Sequence, residues 1–85
     1  MAIVLLPSLL ASEAGGQARF EVEASTVGEA LRQLPVRDLL FDERGALRSL
    51  VNVYVDGVDV RDRGGLGAAP GGEIRVVAAV AGGRD

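Results

Sequence analysis

The chain has 85 residues, 48% of them hydrophobic and 25% charged, a balance typical of one small globular domain. It contains neither cysteine nor histidine, which excludes disulfides, thiolate zinc sites and the Ser-His and Cys-His catalytic pairs. All nine basic residues are arginine and the net charge is −3, so neither a P-loop, which needs its lysine, nor nucleic-acid binding is expected. We therefore expect a carrier, a binding module or a structural protein rather than an enzyme, and we assign no metal site.

The first apolar segment, Met1–Leu10, is interpreted as a strand in which Pro7 marks an edge position or a bend. A secretory signal needs a positively charged start, yet the first basic residue is Arg19. The segment is also shorter than the roughly 20 residues that span a bilayer, so we expect a buried strand, no membrane partner and a cytoplasmic location. After a turn at Gly15–Gly16, the alternation over 17–23 predicts a second strand that forms a hairpin with the first.

One short helix is predicted next. Thr26 and Glu29 have the spacing of a capping box, in which the Thr26 hydroxyl accepts from the Glu29 N–H and the Glu29 carboxylate reaches back to the Thr26 N–H. An apolar stripe follows at Val27, Ala30, Leu31 and Leu34. Pro35 blocks continuation, and 36–49 is expected to be irregular, with three core side chains, Leu39, Leu40 and Phe41.

The segment Leu50–Val60 carries the strongest hairpin pattern, with a type I′ turn at Asp56–Gly57. A glycine-rich connection over 61–72 precedes the last predicted strand, Glu73–Val80. Strand, strand, helix, strand, short strand, strand is the order of the β-grasp fold of ubiquitin. We therefore predict an α+β domain over 1–81, a mixed sheet of four to five strands with one main helix packed across it, and a flexible tail over 82–85.

Strand parity selects candidate docking residues. In the last strand Ile74 and Val76 should face the core, which places Arg75 and Val77 on the solvent side. Tyr54 should lie on the opposite face from its valine neighbours. Together with Ala81 beside the tail, these exposed residues are assigned to partner docking.

Two other patterns are given structural interpretations. Asp56, Asp59 and Asp62 lack the spacing of a calcium loop and are interpreted as solvated carboxylates of the hairpin. The glycines of 64–67 precede no long helix and are interpreted as a connection. By contrast, Gly82–Gly83 lies just after the predicted final strand, beyond Ala81, where two residues without side chains can enter a narrow active site.

Three blocks in order resemble the ubiquitin-like sulfur carrier family, which includes ThiS, MoaD and CysO proteins. They are Pro7–Leu10 with Gly15–Gln17, the block Val51–Arg61 followed by Gly64–Leu66, and Ala79–Gly83. The resemblance covers essentially the whole chain and is greatest to the CysO-like members. The chain departs from many relatives at Ala78 and at Gly71–Glu73, and Arg84–Asp85 follows the glycine that ends the mature family members.

The resemblance implies a mechanism. An E1-like adenylating enzyme of the ThiF/MoeB type would use ATP to adenylate the Gly83 carboxylate, and a sulfur donor would convert it to a thiocarboxylate. A JAMM-type metalloprotease would first cut between Gly83 and Arg84. Cysteine synthase or the large subunit of molybdopterin synthase would accept the sulfur, and the chain itself would bind no cofactor.

Alternatives remain open at this point. The chain could serve as a MoaD-like subunit of molybdopterin synthase, as a ubiquitin-like protein modifier joined to target lysines through Gly83, or as a non-covalent β-grasp adaptor. The acceptor pathway, the sulfur donor and the oligomeric state do not follow from the sequence.

Overall fold

Five strands form one mixed sheet in the computed structural model, which describes residues 1–78. The order across the sheet is β2-β1-β5-β3-β4; β1 and β5 are parallel, and the other neighbours are antiparallel. The strands are β1 (Ala2–Leu5), β2 (Arg19–Val22), β3 (Val51–Val55), β4 (Val58–Asp59) and β5 (Glu73–Ala78). The last strand in the chain therefore lies at the centre of the sheet, between the first and the third.

Three short helices accompany the sheet: α1 (Ser8–Glu13), α2 (Val27–Arg32) and α3 (Arg37–Leu40). The middle helix is the one that the sequence predicts; it packs against β1 and against a 3-10 turn at Gly65–Gly67. A second 3-10 turn occupies Val60–Arg63. None of the helices within residues 1–78 has the length and apolar character to cross a bilayer.

The hydrophobic core fills the space between the helices and one face of the sheet, here called the inner face. Each of the three central strands contributes to it, including Val4 of β1, Val53 of β3 and Ile74 of β5. No polar or charged residue among those described is buried in this core. The predicted two-layer β-grasp arrangement is confirmed. The described residues contain three short helices, however, where one main helix was predicted.

The prediction of one strand over Met1–Leu10 is wrong for the second half of that segment. β1 ends at Leu5, and Ser8–Glu13 forms α1, so β1 and β2 pair as predicted but are not joined by a simple turn. Pro7 has extended backbone angles (φ −69°, ψ 162°), and its carbonyl accepts from the Ala11 N–H at 2.8 Å. A continuous apolar segment has no period that separates strand from helix, which is why the sequence did not reveal this change.

The segment over 36–49 also contains more structure than predicted. Arg37–Leu40 forms α3, and Phe41 pairs with Leu47 in an isolated bridge. Leu40 and Phe41 are buried as expected, but Leu39 is 43% exposed, so its prediction as a core residue is wrong. A single turn of helix sends consecutive side chains in different directions, and Leu39 points away from the core.

The helix cap is formed largely as predicted. The Thr26 hydroxyl accepts from the Glu29 N–H at 3.1 Å. The Glu29 carboxylate, however, accepts from the N–H of Ser25 and not from that of Thr26. The Thr26 hydroxyl thus satisfies one free N–H at the start of α2. The bond from the Ser25 N–H to the Glu29 carboxylate fixes the residue before the cap.

The hairpin between β3 and β4 matches its prediction. Asp56 and Gly57 both have positive φ, 49° and 87°, as a type I′ turn requires. The returning strand is one residue shorter than expected, because Val60 begins the 3-10 turn. The glycine-rich connection that follows is therefore partly ordered into the two 3-10 turns.

Candidate docking site on the outer face of the sheet

The face of the sheet opposite the core, here called the outer face, carries the predicted docking residues of β5. Ile74 and Val76 are buried on the inner face, at 0% and 2% exposure. Arg75 and Val77 alternate with them and are exposed, Val77 at 39%. The parity prediction is confirmed, while the docking role assigned to these residues stays a prediction.

Strand register brings the other predicted residue to the same place. Tyr54 of β3 pairs with Arg75, and Asn52 pairs with Val77. On the other side of β5, Leu5 of β1 pairs with Arg75. Tyr54, Asn52 and Leu5 are all partly exposed, so the three strands present a mixed apolar and polar surface.

A shallow groove on the outer face follows this surface along β5. It is lined by Tyr54, Asp56, Gly57, Glu73, Arg75 and Val77. Glu73 and Arg75 form an ion pair across its floor at 2.8 Å. A partner that covers Val77 therefore also contacts the Glu73–Arg75 ion pair. An apolar residue beside an ion pair of this kind suits a specific interface with a polar rim.

A second ion pair borders the same face. The Asp59 carboxylate accepts from the Arg61 side chain at 2.8 and 3.1 Å and from its backbone N–H at 2.9 Å. These bonds lower the pKa of Asp59 to about 2 and raise that of Arg61. The same guanidinium donates to the Asn52 side chain at 3.3 Å, which couples the pair to the residue beside Val77.

Asp56 has a role that the sequence did not reveal. Its carboxylate accepts from the backbone N–H of Gly72 at 3.3 Å and of Glu73 at 3.0 Å, and its own N–H donates to the Glu73 carbonyl at 2.9 Å. The hairpin turn thus holds the start of β5. Only an aspartate beside a type I′ glycine suggested a special residue, and the partner 16 positions away was not visible in the sequence.

The three aspartates considered as a calcium site do not converge on a common point. Asp56 binds the start of β5, and Asp59 binds Arg61. Within residues 1–78 the structure contains no group of acidic side chains with the arrangement of a metal site. Their interpretation as hairpin carboxylates is retained, with the addition that two of them have specific partners.

The other predicted site residues lie outside the described part of the chain. These are Ala81, assigned to docking, Gly82 and Gly83, assigned to sulfur attachment, and the Gly83–Arg84 bond, assigned to processing. What the structure describes is the strand that leads to them. β5 runs parallel to β1, and Ala78, directly beyond Val77, is the last residue that the structure describes.

Comparison with known proteins identifies the family. No protein-family model matches the chain. The sulfur carrier protein CysO of Mycobacterium tuberculosis, however, is 34% identical over 89 aligned positions, which cover 94% of this chain and 96% of the relative. The chain belongs to the CysO family of ubiquitin-like sulfur carriers. Such proteins are small carriers rather than enzymes, so that expectation is confirmed.

Solved structures agree with the CysO assignment. The crystal structure of M. tuberculosis CysO superposes with a TM-score of 0.80 at 29% identity and covers 94% of this chain and all of the other. CysO of Amycolatopsis orientalis, crystallised in a complex with BexX, also gives 0.80 at 29% identity, over 95% and 98% of the two chains. SAMP1 of Haloferax volcanii gives 0.73 at 28% identity, over 94% and 96%.

Proposed function

We propose that this CysO-family chain carries sulfur as a C-terminal thiocarboxylate and donates it in cysteine biosynthesis. The observation that carries the proposal is the 34% identity to a named sulfur carrier across 94% of the chain. The composition supports it, because a chain without cysteine has no thiol of its own to hold sulfur. The terminal acyl group is then the place where a sulfur atom is bound.

The proposed chemistry takes place at Gly83. A carboxylate oxygen attacks the α-phosphorus of ATP within an E1-like adenylating enzyme, pyrophosphate leaves, and an acyl-adenylate forms. Sulfide then attacks the acyl carbon and displaces AMP, which leaves the thiocarboxylate. Attack by a persulfide donor instead gives an acyl disulfide, from which a thiol reductant releases the thiocarboxylate by breaking the S–S bond. ATP and any metal belong to the enzyme, while Gly82 and Gly83 allow the tail to enter a narrow site because they lack side chains.

Processing must precede this step. Arg84 and Asp85 follow Gly83, whose carbonyl is therefore part of a peptide bond. An acyl-adenylate requires a free carboxylate at that atom. We assign the removal of the two residues to a protease, with the JAMM class of metalloproteases as the proposed type.

Docking is assigned to the outer face of the sheet. Arg75 and Val77 lie there on β5, the strand that precedes the tail in the sequence, and Tyr54 of β3 lies beside Arg75 by register. A CysO protein of Amycolatopsis has been crystallised with a partner protein, BexX, which supports the expectation that such carriers act in complexes. The proposed partners are the activating enzyme and a sulfur-accepting synthase, cysteine synthase in the first place.

The test compares the 85-residue chain with a form that ends at Gly83. Each is incubated with the activating enzyme of the same organism, ATP and sulfide, and the products are weighed by mass spectrometry. We expect the exchange of one oxygen for sulfur in the shorter form alone. Equal conversion of both forms, with Arg84–Asp85 retained, would overturn the processing step, and conversion of neither would overturn the carrier function.

A protein modifier is the second candidate function. The likeness to SAMP1 of Haloferax volcanii, named small archaeal modifier protein 1 in a second structure at 28% identity, favours it. The modifier would use the same activated Gly83 but would pass the acyl group to a lysine of a target protein. Adding cysteine synthase to the thiocarboxylate form separates the two: sulfur transfer to a small molecule supports the carrier, and a stable amide with protein targets supports the modifier.

A further inference from the structure

One edge of the sheet is formed by β2, whose outward side pairs with no strand within residues 1–78. The Leu6 N–H donates to the Ala18 carbonyl at 2.8 Å, which establishes which backbone groups of this segment face β1. Because these groups alternate along an antiparallel pair, those of Arg19 and Glu21 face outwards. The carbonyl of Glu23, the residue directly after β2, is likewise accessible from outside, since a side chain of α2's C-cap binds it. An exposed row of this kind is a template on which another chain can add a strand.

Two glutamine side chains donate hydrogen bonds to backbone carbonyls at this edge. The Gln17 amide donates to the Arg19 carbonyl at 2.8 Å, and the Gln33 amide donates to the Glu23 carbonyl at 2.7 Å. Gln17 lies in the loop before β2, whereas Gln33 is the C-cap residue directly after α2. These are the only two glutamines of the 85-residue sequence, and they bind the carbonyls of Arg19, the first residue of β2, and of Glu23, the residue directly after its end.

We propose that Gln17 and Gln33 close the β2 edge against strand addition by a second copy of the chain. An incoming strand needs the carbonyls of Arg19 and Glu23 as acceptors for its own N–H groups. It must therefore displace both side-chain amides, and the loss of two existing hydrogen bonds offsets the gain of two new ones. The side chains of Arg19 and Glu21 add charge to the same edge.

The opposite edge is closed by a different feature. β4 has two residues, after which the chain enters the 3-10 turn of Val60–Arg63. A two-residue edge is too short to hold an added strand, and short edges are a common protection against edge-to-edge association. With both edges closed, neither edge of the sheet within residues 1–78 offers a site for strand addition. This inference does not depend on the proposed sulfur chemistry.

The test removes the two amide donors. We compare the wild-type chain, the double variant Gln17→Ala/Gln33→Ala, and a control, Ser12→Ala/Ser49→Ala, which replaces two exposed polar residues away from β2. The probe is a labelled peptide with the sequence of residues 17–23, titrated by fluorescence anisotropy. Sedimentation velocity measures self-association of each protein over the same concentration range.

We expect the double variant to bind the peptide roughly tenfold more tightly than the wild type does, from the two hydrogen bonds no longer displaced, and to self-associate where wild type and control remain monomeric. Circular dichroism checks that it is folded. If it is not, Gln17→Ala alone decides, since Gln17 is exposed and outside the helices, and tighter peptide binding is again expected. Equal binding and equal sedimentation of wild type and folded variant would overturn the proposal.

Discussion

The two faces of the sheet are made from the same strands but have opposite chemistry. Along β5 the inner residues Ile74 and Val76 are fully or almost fully buried, and the outer residues Arg75 and Val77 are exposed. The inner face contains only hydrophobic side chains among the buried residues, while the outer face combines Tyr54 and Val77 with two ion pairs.

This difference separates two tasks on one strand. Burial of the inner side chains stabilises the fold, because apolar surface removed from water contributes about 25 cal/mol per Å². The outer side chains bury less surface and are free to contact a partner. Neighbouring residues of β5 should therefore respond differently to the same substitution, one through stability and the other through binding.

The largest effect is expected at Val76. Val76→Asp places a carboxylate in the apolar core, where no partner is available among the described residues, and should lower the free energy of unfolding by more than about 4 kcal/mol. Val77→Asp should change it by less than about 1 kcal/mol but weaken adenylation of the form ending at Gly83. Urea unfolding and an AMP-formation assay measure the two quantities.

Val58→Asp is the matched control for this comparison. Val58 is 41% exposed, close to the 39% of Val77, but lies on the edge strand β4 and pairs with the inner residue Val55. It should leave adenylation unchanged. If Val58→Asp and Val77→Asp reduce adenylation equally, the effect comes from added charge and the docking site is not on the outer face.

A smaller loss of stability is expected from a substitution at the start of β5. There the strand is held by Asp56 of the hairpin turn and not by side chains of either sheet face. Gly71 has a φ of +63°, and an added Cβ would lie 2.4 Å from the Asp56 carboxylate. Gly45 has a φ of +83° with no atom within 4 Å, so it shares the backbone strain without the contact. We expect Gly71→Ala to cost about 2–3 kcal/mol and Gly45→Ala about 1 kcal/mol in urea unfolding.

Equal losses of unfolding free energy in Gly71→Ala and Gly45→Ala would mean that the Asp56 side chain can move away from the added Cβ without a loss of stability. The interaction between Asp56 and the start of β5 would then be too weak to position the strand. A larger loss for Gly71→Ala supports the clamp made by Asp56 with the N–H groups of Gly72 and Glu73.

The smallest effect concerns pH. The pKa of Asp59 is lowered from 3.8 to about 2 by its bonds to Arg61, so the folded chain favours the charged carboxylate. The resulting stability is present above about pH 4 and is lost as the pH falls through about 2. The urea midpoint of Asp59→Asn should therefore lie below that of the wild type at pH 5, and the gap should narrow at pH 2.5.

Asp62→Asn provides the control for this pH prediction. Asp62 is exposed and makes no hydrogen bond or ion pair with the residues that the structure describes. The urea midpoint of Asp62→Asn should equal that of the wild type at both pH 5 and pH 2.5. A gap for Asp59→Asn that is the same at pH 5 and pH 2.5 would show that the Asp59–Arg61 pair does not contribute to the acid dependence.

Several features of the fold could be predicted because their causes are local. The Asp56–Gly57 turn, the Thr26 cap and the alternation of β5 depend on backbone preferences and on periods of a few residues. The exposure of Val77 and Arg75 followed from that alternation alone. The resemblance in three ordered blocks supplied the family, which the 34% identity to CysO confirmed.

The misplaced elements have a common physical reason. Met1–Leu10 is a largely apolar segment and 36–49 mixes short apolar and charged stretches, so neither has a clear period. The choice between strand and helix there depends on what each segment packs against. Leu39 and Leu40 are chemically identical neighbours, yet one is 43% exposed and the other buried. Only the orientation of α3 on the core distinguishes them.

By itself the sequence determined the two-layer architecture, the main helix, the turn chemistry and the faces of the strands, because short-range periodicity and turn preferences act within a few residues. The tertiary structure alone decided which residues meet across the sheet. Asp56 reaches the start of β5, Tyr54 lies beside Arg75, and Gln33 binds the carbonyl of Glu23. Those contacts depend on strand order and register, which are selected by burial of the whole core and not by any one segment.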